Sequence, residues 1–172
     1  DYTIANFFDS EKHMFYFTSK EDSAIVSRNF EYRDNVIPSS NSAMAKNLFL
    51  LSKYFENTGF EEISQQMLKN VSEEMMQYPS GFSNWLDLLL NFKNDFFEVI
   101  IVGKDVSEKA KQINKHYLPN IIIAGSVDEN NRPLFKNRFV DGETLIYVCK
   151  NNTCKLPIKD IKIAIELLNK NE

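Results

Sequence analysis

The stretch richest in chemistry is EYRDNVIPSSNS, residues 31–42. Glu31 and Asp34 are two carboxylates close in sequence, with Arg33 between them and Ser39, Ser40, Asn41 and Ser42 just beyond. Paired carboxylates can divide general-acid and general-base work, and with hydroxyl and amide groups beside them they can hydrogen-bond a polyol. On that chemistry Glu31 and Asp34 are the catalytic candidates, and Arg33, Ser39 and Asn41 are the candidates for holding a polar ligand. The same residues also spell a solvated connector ending in a helix N-cap. Pro38 steers Ile37 away from helical backbone, and Ser39, Ser40 or Asn41 can accept from the first amides of a following helix. Both readings stand on the sequence.

Both cysteines lie in YVCKNNTCKLPI, residues 147–158. A structural zinc site wants four nitrogen or sulfur ligands, and only His13 and His116, far apart in sequence, are there to complete one. A thioredoxin-type pair is C-x-x-C opening a helix, whose end favours the thiolate. Here four residues intervene and Cys149 ends a predicted strand. A disulfide around the Asn151-Asn152 turn is geometrically open. The expectation adopted is packing, with Cys149 inward, Cys154 near the last helix and two free thiols. No metal and no cofactor is expected. His13 and His116 have no acid or nucleophile at a recognisable spacing. Asn70-Val71-Ser72 and Asn151-Asn152-Thr153 match the glycosylation sequon, a weak signal without a secretory context.

The junction VGKD, residues 102–105, joins a strand to a helix, a place that binds phosphate in other proteins. Neither GxxxxGK[ST] nor GxGxxG is present, and Asp105 puts negative charge where phosphate would sit. Gly103 reads as a turn.

Periodicity gives the helices and strands around these residues. FFDSEKHMFYFTSKEDSAIV, residues 7–26, reads as two short strands around Asp9-Ser10-Glu11-Lys12, with Phe15 and Phe17 on one face. A polar connector leads to a helix over residues 42–55, striped by Met44, Leu48, Leu51 and Phe55, with Ala45 and Phe49 beside the stripe. Gly59 breaks the chain before a helix over 60–77 with Phe60, Ile63, Met67, Val71 and Met75 inward. Pro79 and Gly81 punctuate before a third helix over 82–91, with Trp85, Leu86 and Leu89 inward. Short links imply antiparallel neighbours. The pattern then changes. FEVIIVGK, residues 97–104, is a buried strand; a helix striped by Val106, Ala110, Ile113 and Tyr117 follows; residues 120–124 are a second strand. Strand, helix and strand make a βαβ unit. A third strand over 144–149 and a final helix over 158–168 close the chain, the helix burying Ile161, Ala164, Ile165 and Leu168. The fold class is mixed α and β: a β-hairpin and antiparallel helices in residues 1–95, then a small α/β layer in residues 96–172.

Composition bounds the function. The chain has 172 residues, 43% hydrophobic and 13% aromatic, enough for one domain or two small ones. A net charge of −4 with scattered Lys and Arg argues against nucleic acid and against a polybasic membrane anchor. No apolar run approaches the roughly 20 residues needed to cross a bilayer. The first residues carry no basic start and no apolar signal core. The chain begins at Asp1 without Met, and a fragment of a longer protein is expected. Two cysteines are too few for a disulfide scaffold, so a reducing, cytoplasmic location is the default.

Together, EYRDNVIPSSNSAMAKNLFLLSKY, VIIVGK and RPLFKNRFVDGETLIYVCKNNTCKLPI resemble the C-terminal region of the thioredoxin-domain-containing family that includes spermatogenesis-associated protein 20 and its bacterial relatives. The most specific pieces are D-x-x-x-P-S-x-N-S and Y-V-C-x-x-x-x-C-x-L-P. Glu31, Asp34, Pro38, Ser39, Asn41 and Ser42 match the motif before a toroid helix. Arg138, Asp141, Gly142, Tyr147, Cys149, Cys154 and Pro157 match the C-terminal motif. Ser40 stands where the family usually has Gly, so a positive φ there would strain it.

The resemblance implies a thioredoxin-like domain joined to an (α/α)6 toroid similar to N-acylglucosamine 2-epimerase and six-hairpin glycosidases. Most of such a toroid cannot fit in residues 1–95, so this chain would be its last helices plus the terminal α/β segment. Glu31 and Asp34 would then be rim or lumen residues of a sugar epimerase- or glycosidase-like enzyme, facing a carbohydrate or other small polar ligand. The other implied role is a non-catalytic structural or interaction module. It would pack against the missing N-terminal domains of the same chain, or form a homodimer.

Overall fold

The computed structural model describes residues 1–22 and 27–169. The chain is mixed α and β, with six α-helices and two small sheets among the described residues. It divides into two compact units: Asp1–Ser52 with Asn57–Leu90, and Lys53–Glu56 with the chain from Asn91 onward.

The first unit opens with α1 (Tyr2–Phe7), which the sequence reading does not anticipate. Strands β1 (Phe8–Asp9) and β2 (Met14–Phe15) pair antiparallel, Phe8 opposite Phe15 and Asp9 opposite Met14. Asp9 shapes the turn: its Oδ1 accepts from the Glu11 and Lys12 amides at 2.9 and 3.0 Å. The ladder stops at Phe15, and Phe15 and Phe17, expected on one face, differ in burial. Phe15 is buried and Phe17 is 64% exposed. The end of that stretch, residues 23–26, lies outside the described residues.

Helices α2 (Ser40–Phe55), α3 (Thr58–Gln77) and α4 (Ser83–Lys93) follow. Asn57 caps α3 by accepting from the Phe60 amide at 3.2 Å, and a 3-10 turn over Pro79–Gly81 separates α3 from α4. The inward stripe of α3 is close to that expected, with Met67, Val71 and Met75 buried. That of α2 is rotated. Asn41, Ser42, Ala45, Leu48, Phe49 and Ser52 are buried, while Phe55 is half exposed. Polar residues lie inside because their bonds are made there. Ser52 Oγ donates to the Phe49 carbonyl at 2.6 Å, and Ser64 of α3 donates to the Ala45 carbonyl at 2.8 Å. A hydrophobic stripe cannot reveal this, since hydrogen bonding removes the penalty that usually keeps polar groups out. In α4 the buried positions are Trp85 and Leu88, with Leu86 and Leu89 only partly covered.

The second unit is a four-stranded sheet in the order β4 (Ile121–Ser126), β3 (Phe97–Val102), β5 (Leu145–Lys150), β6 (Thr153–Cys154). Strands β3 and β4 are parallel and are joined through α5 (Val106–Ile113). β3 pairs antiparallel with β5, and β5 with β6. All six β3 residues are buried, because both faces are covered. Phe97, Val99, Ile101, Ile146 and Val148 join Ile113 of α5 with Ala164 and Leu168 of α6 (Ile161–Asn169). On the other face Ile100, Val102 and Cys149 pack with Leu134, Phe135 and Phe139. Helix α5 ends at Ile113, so Tyr117 does not extend its stripe and is 90% exposed.

Gly103 sits at φ 129°, and a Cβ there would come within 2.2 Å of the Glu143 carbonyl oxygen. Its role is this close backbone approach. Asp105, just after it, is tied to Thr144: its amide donates to Thr144 Oγ1 at 3.2 Å.

Candidate functional site

The residues expected to carry chemistry converge ahead of α2, and their polar atoms are largely engaged with one another. Asp34 is buried. Its Oδ1 accepts from the Ser39 amide at 3.0 Å and from Ser42 Oγ at 2.6 Å. Its Oδ2 accepts from the Asn84 amide at 2.8 Å. Ser39 is the N-cap of α2, with Oγ accepting from the Ser42 amide at 3.1 Å. One carboxylate therefore serves the N-termini of two helices, α2 through Ser39 and Ser42, and α4 through Asn84. The orphan amides of a helix start need acceptors, and the partial positive charge there favours an anion. The Asp34 amide in turn donates to the Gly81 carbonyl at 2.8 Å, joining the connector to the turn before α4. Trp85 reinforces the junction by donating from Nε1 to the Tyr32 carbonyl at 2.7 Å.

Asn41 is fully buried. Its Oδ1 accepts from the Phe15 amide and its Nδ2 donates to the Phe15 carbonyl, both at 2.8 Å. The same Nδ2 donates to the Glu31 carbonyl at 2.8 Å. The side-chain amide thus extends β2 as another strand would, linking it to the connector and to α2. Glu31 is exposed; its carboxylate accepts from the Ser40 amide at 3.2 Å. Arg33 is exposed and forms an ion pair with Glu74 of α3. Ser40 begins α2 and is not among the residues with positive φ, so Ser in place of Gly carries no strain there.

The cysteines correct the sequence reading. They are not free thiols: Cys149 and Cys154 form a disulfide. Lys150 and Thr153 pair across Asn151 and Asn152, whose φ values of 51° and 60° fit a two-residue hairpin turn. That turn sets Cys149 directly opposite Cys154. The signal is the Asn151-Asn152 turn set evenly between the two cysteines; β6 is only two residues long, too short to show strand periodicity, and it places Cys154 in the sheet rather than on the approach to the last helix. Arg138 donates from Nη2 to Cys154 Sγ at 3.1 Å and from Nη1 to the Leu134 carbonyl. Its guanidinium lies over the Tyr147 ring at 5.5 Å, and Tyr147 donates its hydroxyl to the Arg138 carbonyl at 2.9 Å. Burial raises the Tyr147 phenol above its usual value, opposed by the Arg138 charge.

A small cavity of about 90 Å³ lies in the second unit between Asp95, Phe97, Lys150, Thr153 and Lys155. Small-molecule sites usually begin near 300 Å³. Among the described residues no group of three or more His, Cys, Asp or Glu is placed to hold a metal ion. Nor is any helix among them long and apolar enough to cross a membrane.

Fold and site define a mixed α and β chain with a carboxylate-centred knot of helix ends and a disulfide-closed hairpin. No protein-family model matches it. It is similar to human spermatogenesis-associated protein 20, with 24% identity over 139 residues, 74% of this chain and 18% of that protein. It is also similar to an uncharacterized protein of Caenorhabditis elegans, with 23% identity over 164 residues, 91% of this chain and 22% of that protein. The chain spans about a fifth of the length of these curated relatives.

Proposed function

We propose that this chain is a structural and interaction module of a larger protein distantly related to spermatogenesis-associated protein 20. In this reading the cluster at residues 31–42 organises helix ends and does no acid–base catalysis. The observation that carries it is the commitment of both Asp34 oxygens to Ser39, Ser42 and Asn84. A general acid or base must exchange its proton with a substrate, and this carboxylate is buried among internal donors. The extent of the match, about a fifth of each relative, supports a part working within a larger whole. Val36 and Ile37, 95% and 71% exposed beside the knot, offer apolar surface to further helices or a thioredoxin-like domain.

The competing reading is a carbohydrate pocket of an epimerase-like toroid, with Glu31 and Asp34 as acid and base. The two readings separate by experiment. This chain and the remainder of the larger protein are expressed as two polypeptides. The module reading expects association that V36D/I37D abolishes, with no calorimetric response to monosaccharides. Sugar binding that Glu31→Gln removes while the fold survives would overturn it.

A further inference from the structure

We propose that the Cys149–Cys154 disulfide is a thiol–disulfide exchange site for small thiols, in which Cys154 is the sulfur attacked. This inference is independent of the module reading. Cys154 is partly exposed at the sheet edge, whereas Cys149 is 2% exposed. An incoming thiolate therefore reaches Cys154 first. The Arg138 guanidinium is already aimed at Cys154 Sγ, held by Leu134 and Tyr147. A disulfide sulfur is a weak acceptor, but a thiolate makes a charge-assisted bond, so this guanidinium matches the reduced form better.

The second feature is Glu98, a carboxyl group 3% exposed on β3. It stands directly opposite Cys149 in the β3–β5 register, and such pairs share a sheet face. Ile122, Glu98, Cys149 and Cys154 thus form one row across the sheet. In that buried row a thiolate at Cys149 is disfavoured, so Cys149 takes a proton as it leaves and the charge stays at Cys154 beside Arg138.

The steps balance. A small-molecule thiolate bonds to Cys154 Sγ, the Cys149–Cys154 bond breaks, and Cys149 leaves and takes a proton. A second thiol attacks the small-molecule sulfur of the mixed disulfide and expels the Cys154 thiolate beside Arg138. Two thiols become one small-molecule disulfide; two electrons and one proton reach the chain, on Cys149, and the second proton goes to solvent while Cys154 stays a thiolate.

The test exposes the full native chain to a glutathione buffer, quenches with an alkylating agent and maps the sulfurs by peptide mass. The proposal expects reduction without denaturant and a mixed disulfide on Cys154. It also expects re-oxidation by glutathione disulfide to slow about tenfold in Arg138→Leu, the scale of one hydrogen bond to a charge. Persistence of the disulfide in native chain, or a mixed disulfide on Cys149, would overturn the proposal, and neither readout depends on a variant folding. Unchanged re-oxidation in a folded Arg138→Leu chain would remove the role of Arg138.

Discussion

Replacing Asp34 by Ala is the sharpest perturbation of the knot. Three hydrogen bonds to a buried carboxylate are lost, from the Ser39 amide, Ser42 Oγ and the Asn84 amide. Hydrogen bonds to charged groups contribute about 1.5–3 kcal/mol each, and a helix cap about 1 kcal/mol. Water can enter the vacated space and replace part of this, which favours the low end. The expected loss is about 4 kcal/mol, against a typical total of about 5–15 kcal/mol. With a urea slope of about 2 kcal/mol/M the midpoint should fall by roughly 2 M. Trp85, the single tryptophan, is buried in the same unit and bonded to the Tyr32 carbonyl, so its fluorescence reports on the knot. The paired control is Glu31→Ala. That carboxylate is exposed, and among the described residues its hydrogen bond is from the Ser40 amide at the α2 N-terminus, so its removal should cost less than about 1 kcal/mol. A loss under about 1 kcal/mol for Asp34→Ala, or equal losses for both variants, would show that Asp34 does not hold the two helix ends.

Further outcomes follow from other parts of the fold. Asn41→Ala strips partners from the Phe15 amide and carbonyl and should cost about 3 kcal/mol by urea unfolding, far more than Ser40→Ala. Gly103→Ala forces a Cβ against the Glu143 backbone at positive φ and should lower the melting temperature of the second unit by several degrees, read by far-UV circular dichroism. Amide donation from Lys12, then the Tyr16 phenol, hold the Asp9 carboxyl below its usual 3.8. A depressed carboxylate stabilises the native state fully above its unfolded value, and that stability is lost as pH falls through the lower folded value. Asp9→Asn should therefore flatten the acid limb of the stability curve and leave its slope near neutral pH unchanged.

The sequence made the repetitive elements legible because burial there follows periodicity. α3 and β3 show it: Met67, Val71 and Met75 are inside, and the β-branched run is buried on both faces. Legibility failed where polar groups do the packing. Asn41 and Ser42 occupy the core side of α2, which rotates the stripe away from Phe55. Hydropathy cannot foresee that a side-chain amide will complete β2. The cluster at residues 31–42 stood out as a collection of polar groups. Whether such groups face a ligand or one another depends on the fold around Gly81 and Asn84, distant in sequence. The disulfide was obscured for a related reason. A two-residue strand has too few positions to show alternation, so only the Asn151-Asn152 turn marked β6.

Amide hydrogen exchange at Ser39 and Asn84 reads the joining of α2 and α4 by Asp34, since both amides donate to that carboxylate. Both should be protected in the native chain, with protection lost together by about tenfold or more in Asp34→Ala and retained in Glu31→Gln. Unprotected exchange at these two positions in the native chain, or protection of both that survives Asp34→Ala, would contradict that role of Asp34.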